Sequence, residues 1–262
     1  NPYTIHYAYD TVALAKGTGG AVVDRGGKDW FFLTADYAFG HALEADTTKV
    51  VQAKGGKVLG SVKHPLNASD FSSFLLQAQN SKAQILGLAN AGGDTINAIK
   101  AAREFGISKT MKTAGLLVFL TDIHSLGLKN TEGLLHTTSW YWDMNDASRA
   151  FGSKFMAKTK RMPTDVQAAD YSAVMNYLKA VEAVKTTDPD KVMAYLKSTE
   201  LNDFYAKGRI RPDGTYAHAM YLVEVKAPKD STKPWDYLKV LQTLPADQVW
   251  TTKAETKCAL WK

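Results

Sequence analysis

The sequence predicts an α/β protein built on a doubly wound parallel sheet. Three observations support this. Short apolar runs recur at Trp30-Phe31-Phe32-Leu33, Lys57–Val62, Ala83–Ala89 and Lys112–Phe119. A polar break and then a helical pattern follow each run. Glycines punctuate the helices, at Gly26-Gly27, Gly55-Gly56 and Gly106. Unbroken apolar runs suit strands buried on both faces, and their alternation with helices suits parallel βαβ units.

In chain order, Asn1 to Asp10 is extended in character and rich in Tyr. Thr11 to Asp24 carries Val12, Leu14, Ala15, Ala21 and Val22 and reads as a helix. The strand Trp30–Leu33 breaks at Thr34-Ala35-Asp36, and a helix runs from about Gly40 to Ala53. Gly55-Gly56 supplies its left-handed stop. The strand Lys57–Val62 ends at His64-Pro65, and Asn67-Ala68-Ser69-Asp70 offers N-cap chemistry for a helix from Phe71 to Asn80. Ala83–Ala89 leads through Asn90-Ala91-Gly92-Gly93-Asp94 into a helix from about Thr95 to Phe105. Lys112–Phe119 is a further strand, with a polar loop and a short helix near Leu126 after it. Thr131 to Trp142 continues the alternation.

The second part differs. From about Asp146 to Ser198 the pattern is almost all helical. Asp146 caps the first helix, Pro163-Thr164 ends it, and Asp188-Pro189 opens the third. The middle helix, Gln167–Lys185, has an apolar face at Ala169, Val174, Tyr177, Leu178, Val181 and Val184. After Leu201 the pattern turns to strand: Gly208–Arg211, a turn at Pro212-Asp213-Gly214, then Tyr216–Lys226, a hairpin-like arrangement. Trp235–Trp250 reads as another strand and loop. Amphipathic helices need an apolar partner surface. Either the helices of 146–198 form a small bundle, or the sheet they cover lies in sequence not present here.

Composition narrows the function. Hydrophobic residues make up 45% and charged residues 22%, ordinary for a globular protein, and no apolar run is long enough to span a bilayer. Asn1-Pro2-Tyr3 has neither the charged nor the apolar region of an export signal, so any such signal lies outside this sequence. The net charge is +6, but the lysines are scattered. The densest cluster, Lys154 to Arg161, has the spacing of a solvated helix face, so no nucleic acid is expected as a partner. Cys258 is the only cysteine, which excludes an internal disulfide. A lone cysteine in an exported protein points to a partner outside the chain.

Catalytic motifs are absent. Gly92-Gly93-Asp94 lacks the Lys-Ser or Lys-Thr of a phosphate loop. The six histidines show no HxH or HxxxH spacing, so no metal is expected. There is no GxSxG elbow, and Asp122, His124 and Ser125 are too close in sequence to face one another. No cofactor is expected either. What stands out is aromatic density at the predicted strand ends: Tyr7, Tyr9, Tyr37, Phe39, Phe119, Trp140, Tyr141 and Trp142. Core packing accounts for many of these rings. Ligands of open α/β sheets bind beyond the carboxyl ends of the strands, where Tyr37 and Phe39 stand.

Several segments together carry a family resemblance. They are Trp30 to His41, Gly55-Gly56-Lys57-Val58 with Asp70-Phe71-Ser72 after it, Gly87 to Asp94, Ala102 to Gly106, Glu132-Gly133-Leu134-Leu135, and Gly208 to Gly214. With the order of elements, the chain resembles the type I periplasmic binding proteins, in particular the branched-chain amino-acid (Leu/Ile/Val-binding) group that serves ABC importers. The resemblance implies a periplasmic two-lobed clamp, with a small-molecule ligand in its cleft, an importer permease as partner, and no catalysis. It assigns 1–142 and 201–262 to the C-terminal lobe and 143–200 to the helical part of the N-terminal lobe, whose strands are missing. Similar members carry a Cys just before the first crossover. That position would precede Asn1, so the partner of Cys258 would lie on a missing N-terminal fragment.

The resemblance also places a site, comprising Tyr9, Asp10, Thr11, Tyr37, Phe39, Asn90, Ala91, Leu117 and Asp122. Phe39 matches the family's ring on the loop after the first strand. Ala91 stands where amino-acid-binding members have Tyr. Leu117 stands where they have the carboxylate that holds the ligand's ammonium group. An unpaired ammonium in an apolar pocket is costly. The expected ligand is therefore an aromatic or other hydrophobic carboxylate, benzoate- or cinnamate-like, with polar help from Asp10, Thr11, Asn90 or Asp122. The alternatives are a branched-chain amino acid, a ligand-sensing receptor domain on the same fold, and a flavodoxin-like enzyme.

Overall fold

The computed structural model describes residues 1–261. The chain forms two compact units. The first, here the sheet unit, comprises Thr11–Thr138 and Tyr221–Thr243. The second, the helical unit, comprises Asn1–Asp10, Ser139–Met220 and the residues from Leu244.

The sheet unit opens with α1 (Thr11–Leu14), a wider π-helical turn over Ala15–Gly19, and α2 (Gly20–Asp24). Then come β1 (Asp29–Ala35), α3 (Ala38–Ala53), β2 (Lys57–His64), α4 (Ser72–Asn80), β3 (Ile85–Ala89) and α5 (Gly92–Glu104). β4 (Lys112–Gly115), α6 (Leu120–Leu126), α7 (Leu128–Thr131) and β5 (Leu135–Thr138) complete its first segment. The strand order of the seven-stranded sheet is β10-β9-β5-β4-β3-β1-β2, with β9 (Met220–Val225) and β10 (Leu238–Leu244) from late in the sequence. β2, β1, β3, β4 and β5 pair in parallel, and β9 runs antiparallel to β5. The predicted α/β parallel fold is the observed one.

Burial explains the order. Trp30, Phe32, Leu33, Leu86 and Leu88 are fully buried, so β1 and β3 lie at the centre. Each such side chain contributes roughly 1.5–3 kcal/mol. β2 alternates between exposed and half-buried residues and forms one edge. The chain leaves β1 on one side toward β2 and returns on the other at β3. The reversal opens a crevice at their carboxyl ends.

The structure corrects several expected bounds. α3 starts at Ala38 and α5 at Gly92, each earlier than the apolar pattern indicates. β4 stops at Gly115, and Leu116 to Phe119 form a loop into α6. An apolar run alone does not distinguish a strand from a buried loop.

The helical unit contains α8 (Asp146–Thr159), α9 (Asp165–Val184), α10 (Pro189–Ser198), a short α11 (Ala246–Val249) and a three-stranded antiparallel sheet. Its strands are β6 (Glu200–Asn202), β7 (Lys207–Ile210) and β8 (Tyr216–His218). Asn145, not Asp146, caps α8, accepting from the Ser148 amide at 2.9 Å. α8 ends at Thr159, before Pro163, and Thr164 instead caps α9 in a reciprocal pair with Gln167. Asp188 caps α10, with Pro189 in its first turn, as the sequence indicates.

The division of the chain also differs from the expected one. Residues 1–10, 139–142, 201–220 and those from 244 group with the helices. Backbone bonds explain this: His6 donates to the Gly214 carbonyl at 2.9 Å, and Tyr216 donates back to His6 at 2.9 Å. Trp250 Nε1 reaches the His218 carbonyl at 2.7 Å.

α9 packs in an unexpected sense. Its buried residues are small or polar: Ala168, Ala169, Ser172, Asn176 and Ala180. Val174 is 58% exposed, Leu178 51% and Tyr171 53%. The Val174→Gln/Leu178→Gln variant will therefore change unfolding free energy by less than about 0.5 kcal/mol. It will also reduce self-association in sedimentation velocity, as a contiguous apolar patch promotes association. A large loss of stability would show that the face is covered.

Candidate functional site

The site is built on the sheet unit, where β1, β2, β3 and β4 end. β1 passes through Asp36 to Tyr37, whose extended backbone caps α3 without a side-chain bond. The Tyr37 and Phe39 rings are 5.8 Å apart, and Tyr37 is 37% exposed. Partial burial and the nearby Asp94 carboxylate raise the Tyr37 hydroxyl pKa. An exposed ring, Tyr37, and a half-buried one, Phe39, thus stand at the end of a strand buried from Trp30 to Ala35.

The ends of β2 and β3 carry a polar lock that sequence reasoning missed. His64 ends β2 and is fully buried. Its Nδ1 lies 2.9 Å from the Pro65 carbonyl, which only accepts, so Nδ1 carries the proton. Nε2 then accepts from Asn90 Nδ2 at 3.1 Å, and Asn90 Oδ1 accepts from the Thr95 hydroxyl at 2.7 Å. The lock joins the ends of β2 and β3 to the start of α5. Asp94, 7% exposed, accepts from the amides of Asn67 and Ala68 at 3.2 and 3.1 Å and orders the loop after β2. The sequence signals were a His before Pro at a strand end and an acid in a helix's first turn.

Bonds within the unit also engage three of the expected polar residues. Asn90 is fully buried, and its amide is bonded to His64 and Thr95 within the unit. Asp122, 5% exposed, accepts from the Phe119 amide at 2.9 Å and caps α6. The Thr11 hydroxyl donates to Asp46 at 2.7 Å and ties α1 to α3. Tyr9 and Asp10 belong to the helical unit, where the Tyr9 carbonyl contacts His6 Nε2.

The sheet unit brings Tyr37, Phe39, Ala91 and Leu117 to the ends of β1, β3 and β4. Ala91 caps α5 in extended conformation, and no atom lies within 4 Å of a Cβ built on Gly92 or Gly93. The start of α5 thus borders open space. Leu117 is 5% exposed, on the loop after β4. The surface is aromatic and aliphatic, with backbone amides at the α5 start. It suits an apolar ligand body.

Other expected rings are core. Trp140, Tyr141 and Trp142 are 2%, 4% and 6% exposed, and Trp140 Nε1 donates to Ser148 Oγ at 3.0 Å. The Tyr7 hydroxyl lies 2.8 Å from Ser172 Oγ and accepts from Asn176 at 3.0 Å; burial pushes its pKa up to about 12. Cys258 is a half-buried free thiol in the helical unit. Among the described residues no cluster of His, Cys, Asp or Glu forms a metal site, and no helix is long and apolar enough to cross a membrane.

Comparison with known proteins agrees with the fold. A family model described as periplasmic binding protein matches residues 1–232. The Leu/Ile/Val-binding protein homolog 6 of Brucella melitensis is 24% identical over 259 residues, covering 93% of this chain. The chain spans 64% of that relative's length. A crystal structure of a periplasmic binding protein from Burkholderia mallei is 67% identical, with a TM-score of 0.98 over 100% of this chain and 70% of that one. A branched chain amino acid ABC transporter periplasmic ligand-binding protein from Burkholderia xenovorans LB400 is 41% identical, with a TM-score of 0.91 over 100% of this chain and 71% of that one. The family binds solutes for transport and is not a family of enzymes, which removes the flavodoxin-like reading. With the model spanning most of the sequence and a solved relative 67% identical, the chain belongs to the periplasmic binding protein family.

Proposed function

We propose that the whole protein is an exported, periplasmic solute-binding component of an ABC importer, and that it takes a small aromatic or hydrophobic carboxylate. Leu117 carries this reading. It places an aliphatic group where the resemblance puts the carboxylate that holds an amino acid's ammonium. Leaving that ammonium unpaired costs several kcal/mol in an apolar site. The open space around Gly92 and Gly93 leaves room for an added group at the start of α5. The polar groups of Asn90, Thr11 and Asp122 are committed within the sheet unit. The ligand's carboxylate would then be held mainly by hydroxyls and amides from sequence that this chain does not span.

Ligand binding would stabilise a closed form through contacts made only there, and an importer permease would read that form. The half-exposed apolar face of α9 supports a place for the rest of the helical lobe. A cysteine in that missing part would partner Cys258.

The test is calorimetry on the complete protein with benzoate, cinnamate and leucine. Benzoate or cinnamate is expected to bind at least roughly a hundredfold more tightly than leucine, the factor an unpaired buried ammonium gives. Leu117→Asp is expected to narrow that gap, with circular dichroism confirming its fold. Tight leucine binding by the unaltered protein would overturn the proposal. It would favour the second reading, a branched-chain amino acid, which the 41%-identical Burkholderia xenovorans relative supports by its name.

A further inference from the structure

The sheet unit has a second concavity, at the opposite ends of its strands from the loops that carry Tyr37 and Ala91. It opens because β4 and β5 meet through one register pair, Ala114 with Leu135, whereas β3 and β4 share four. Below that pair the strands part and leave a cleft of about 930 Å³. That volume is near the upper end for small-molecule sites.

The cleft has a divided chemistry. Val22, Ile99, Met111 and Leu134 line its floor, and each is 5% exposed or less. Arg25, Arg103, Lys109 and Lys112 stand at its rim and are exposed. Glu132 and Glu224 are the acids beside them, so four cations against two acids leave an excess of two positive charges. Arg103 is held by carbonyls, donating to Asn130 at 3.0 Å and to Glu132 at 3.4 Å, so its charge is not neutralised there. A charged head is costly to bury and favourable at such a rim, whereas an apolar body gains from the floor.

We propose that this cleft binds an amphiphilic organic anion, with a single carboxylate or sulfonate head on a flexible apolar body. The head sits among Lys109, Lys112 and Arg103, and the body lies on Met111 and Leu134. The site shares no residue with the loops that carry Tyr37, Phe39, Ala91 and Leu117, so it stands or falls separately from the ligand proposed above.

The test uses this chain, isotope-labelled at its methionine methyl groups and titrated with monomeric decanoate. Met111 reports the cleft, and Met175, on α9, reports the exposed apolar face of the helical unit. A saturable shift of the Met111 methyl is expected. In Lys109→Gln/Lys112→Gln the affinity is expected to fall several-fold, and in unaltered protein it is expected to fall with added salt. Both lysines are exposed, and an unchanged urea unfolding transition without decanoate, followed by circular dichroism, shows that the variant is folded. An unmoved Met111 would overturn the proposal. So would equal affinity in the variant, or a shift of Met175 alone, which would mean coating of the exposed face.

Discussion

Replacing Gly40 by Ala will destabilise the sheet unit by about 3 kcal/mol or more, at the upper end of overpacking effects. A Cβ at Gly40 would lie 2.1 Å from the Ala35 carbonyl oxygen and 3.1 Å from that of Ala89. Both atoms are backbone, at the ends of β1 and β3, so no side-chain rotation relieves the contact. α3 would have to lift from the sheet. That would displace Tyr37 and Phe39, which precede Gly40 in the chain, and disturb the bond from the Asp36 amide to the His64 carbonyl, now 2.8 Å. Gly93→Ala is the matched control. It also adds a methyl to a helix, but no atom lies within 4 Å of its Cβ. It should be neutral, or stabilising by up to about 1 kcal/mol, because alanine loses less backbone freedom. Urea unfolding followed by circular dichroism reads both. Equal effects would show that the helix does not rest on the strand ends as described.

Acid will destabilise the sheet unit through His136. This residue lies on β5, opposite Val223, and is 1% exposed, with no partner for Nδ1. Burial pushes its pKa down to about 3 from an ordinary 6.5. The unfolded chain therefore takes up the proton first as pH falls. The full contribution to stability is present above about pH 6.5 and is lost progressively toward pH 3. Between pH 7 and 4.5 the loss is roughly 2–3 kcal/mol, at 1.36 kcal/mol per pH unit below the ordinary value. His136→Phe removes this titration and leaves the others in place. The difference in unfolding free energy between the two proteins should therefore change by that amount across the interval. A parallel pH dependence for both would show that His136 is not buried neutral.

The strongest sequence signals were local ones. The strand cores of β1, β2 and β3, the parallel alternation and the Asp188-Pro189 helix start follow from apolar runs, glycine stops and cap chemistry acting within a few residues. The strand pattern places Tyr37 and Phe39 on the loop after β1, whereas Leu117 is singled out only by the family resemblance, because the apolar run Lys112–Phe119 reads as one strand. The identity of polar partners was not legible. Asn90 looks like an available amide in sequence, yet it is bonded to His64 and Thr95. Asp122 looks like a free carboxylate, yet it caps its own helix through the Phe119 amide.

By itself, the sequence determined the α/β class, the positions of most buried strands and the rings at the end of β1, since periodicity and burial tendency are properties of the chain's own order. Only the tertiary structure decided which segments share a unit, which face of α9 is exposed, where β4 stops and which polar side chains are already spoken for. Residues 1–10 join the hairpin through the bonds of His6 with Gly214 and Tyr216. α9 turns Val174 outward because Tyr7 and Asp203 bind Ser172 and Asn176 on its other face. Such contacts link residues far apart in the chain, and a local pattern carries no record of them.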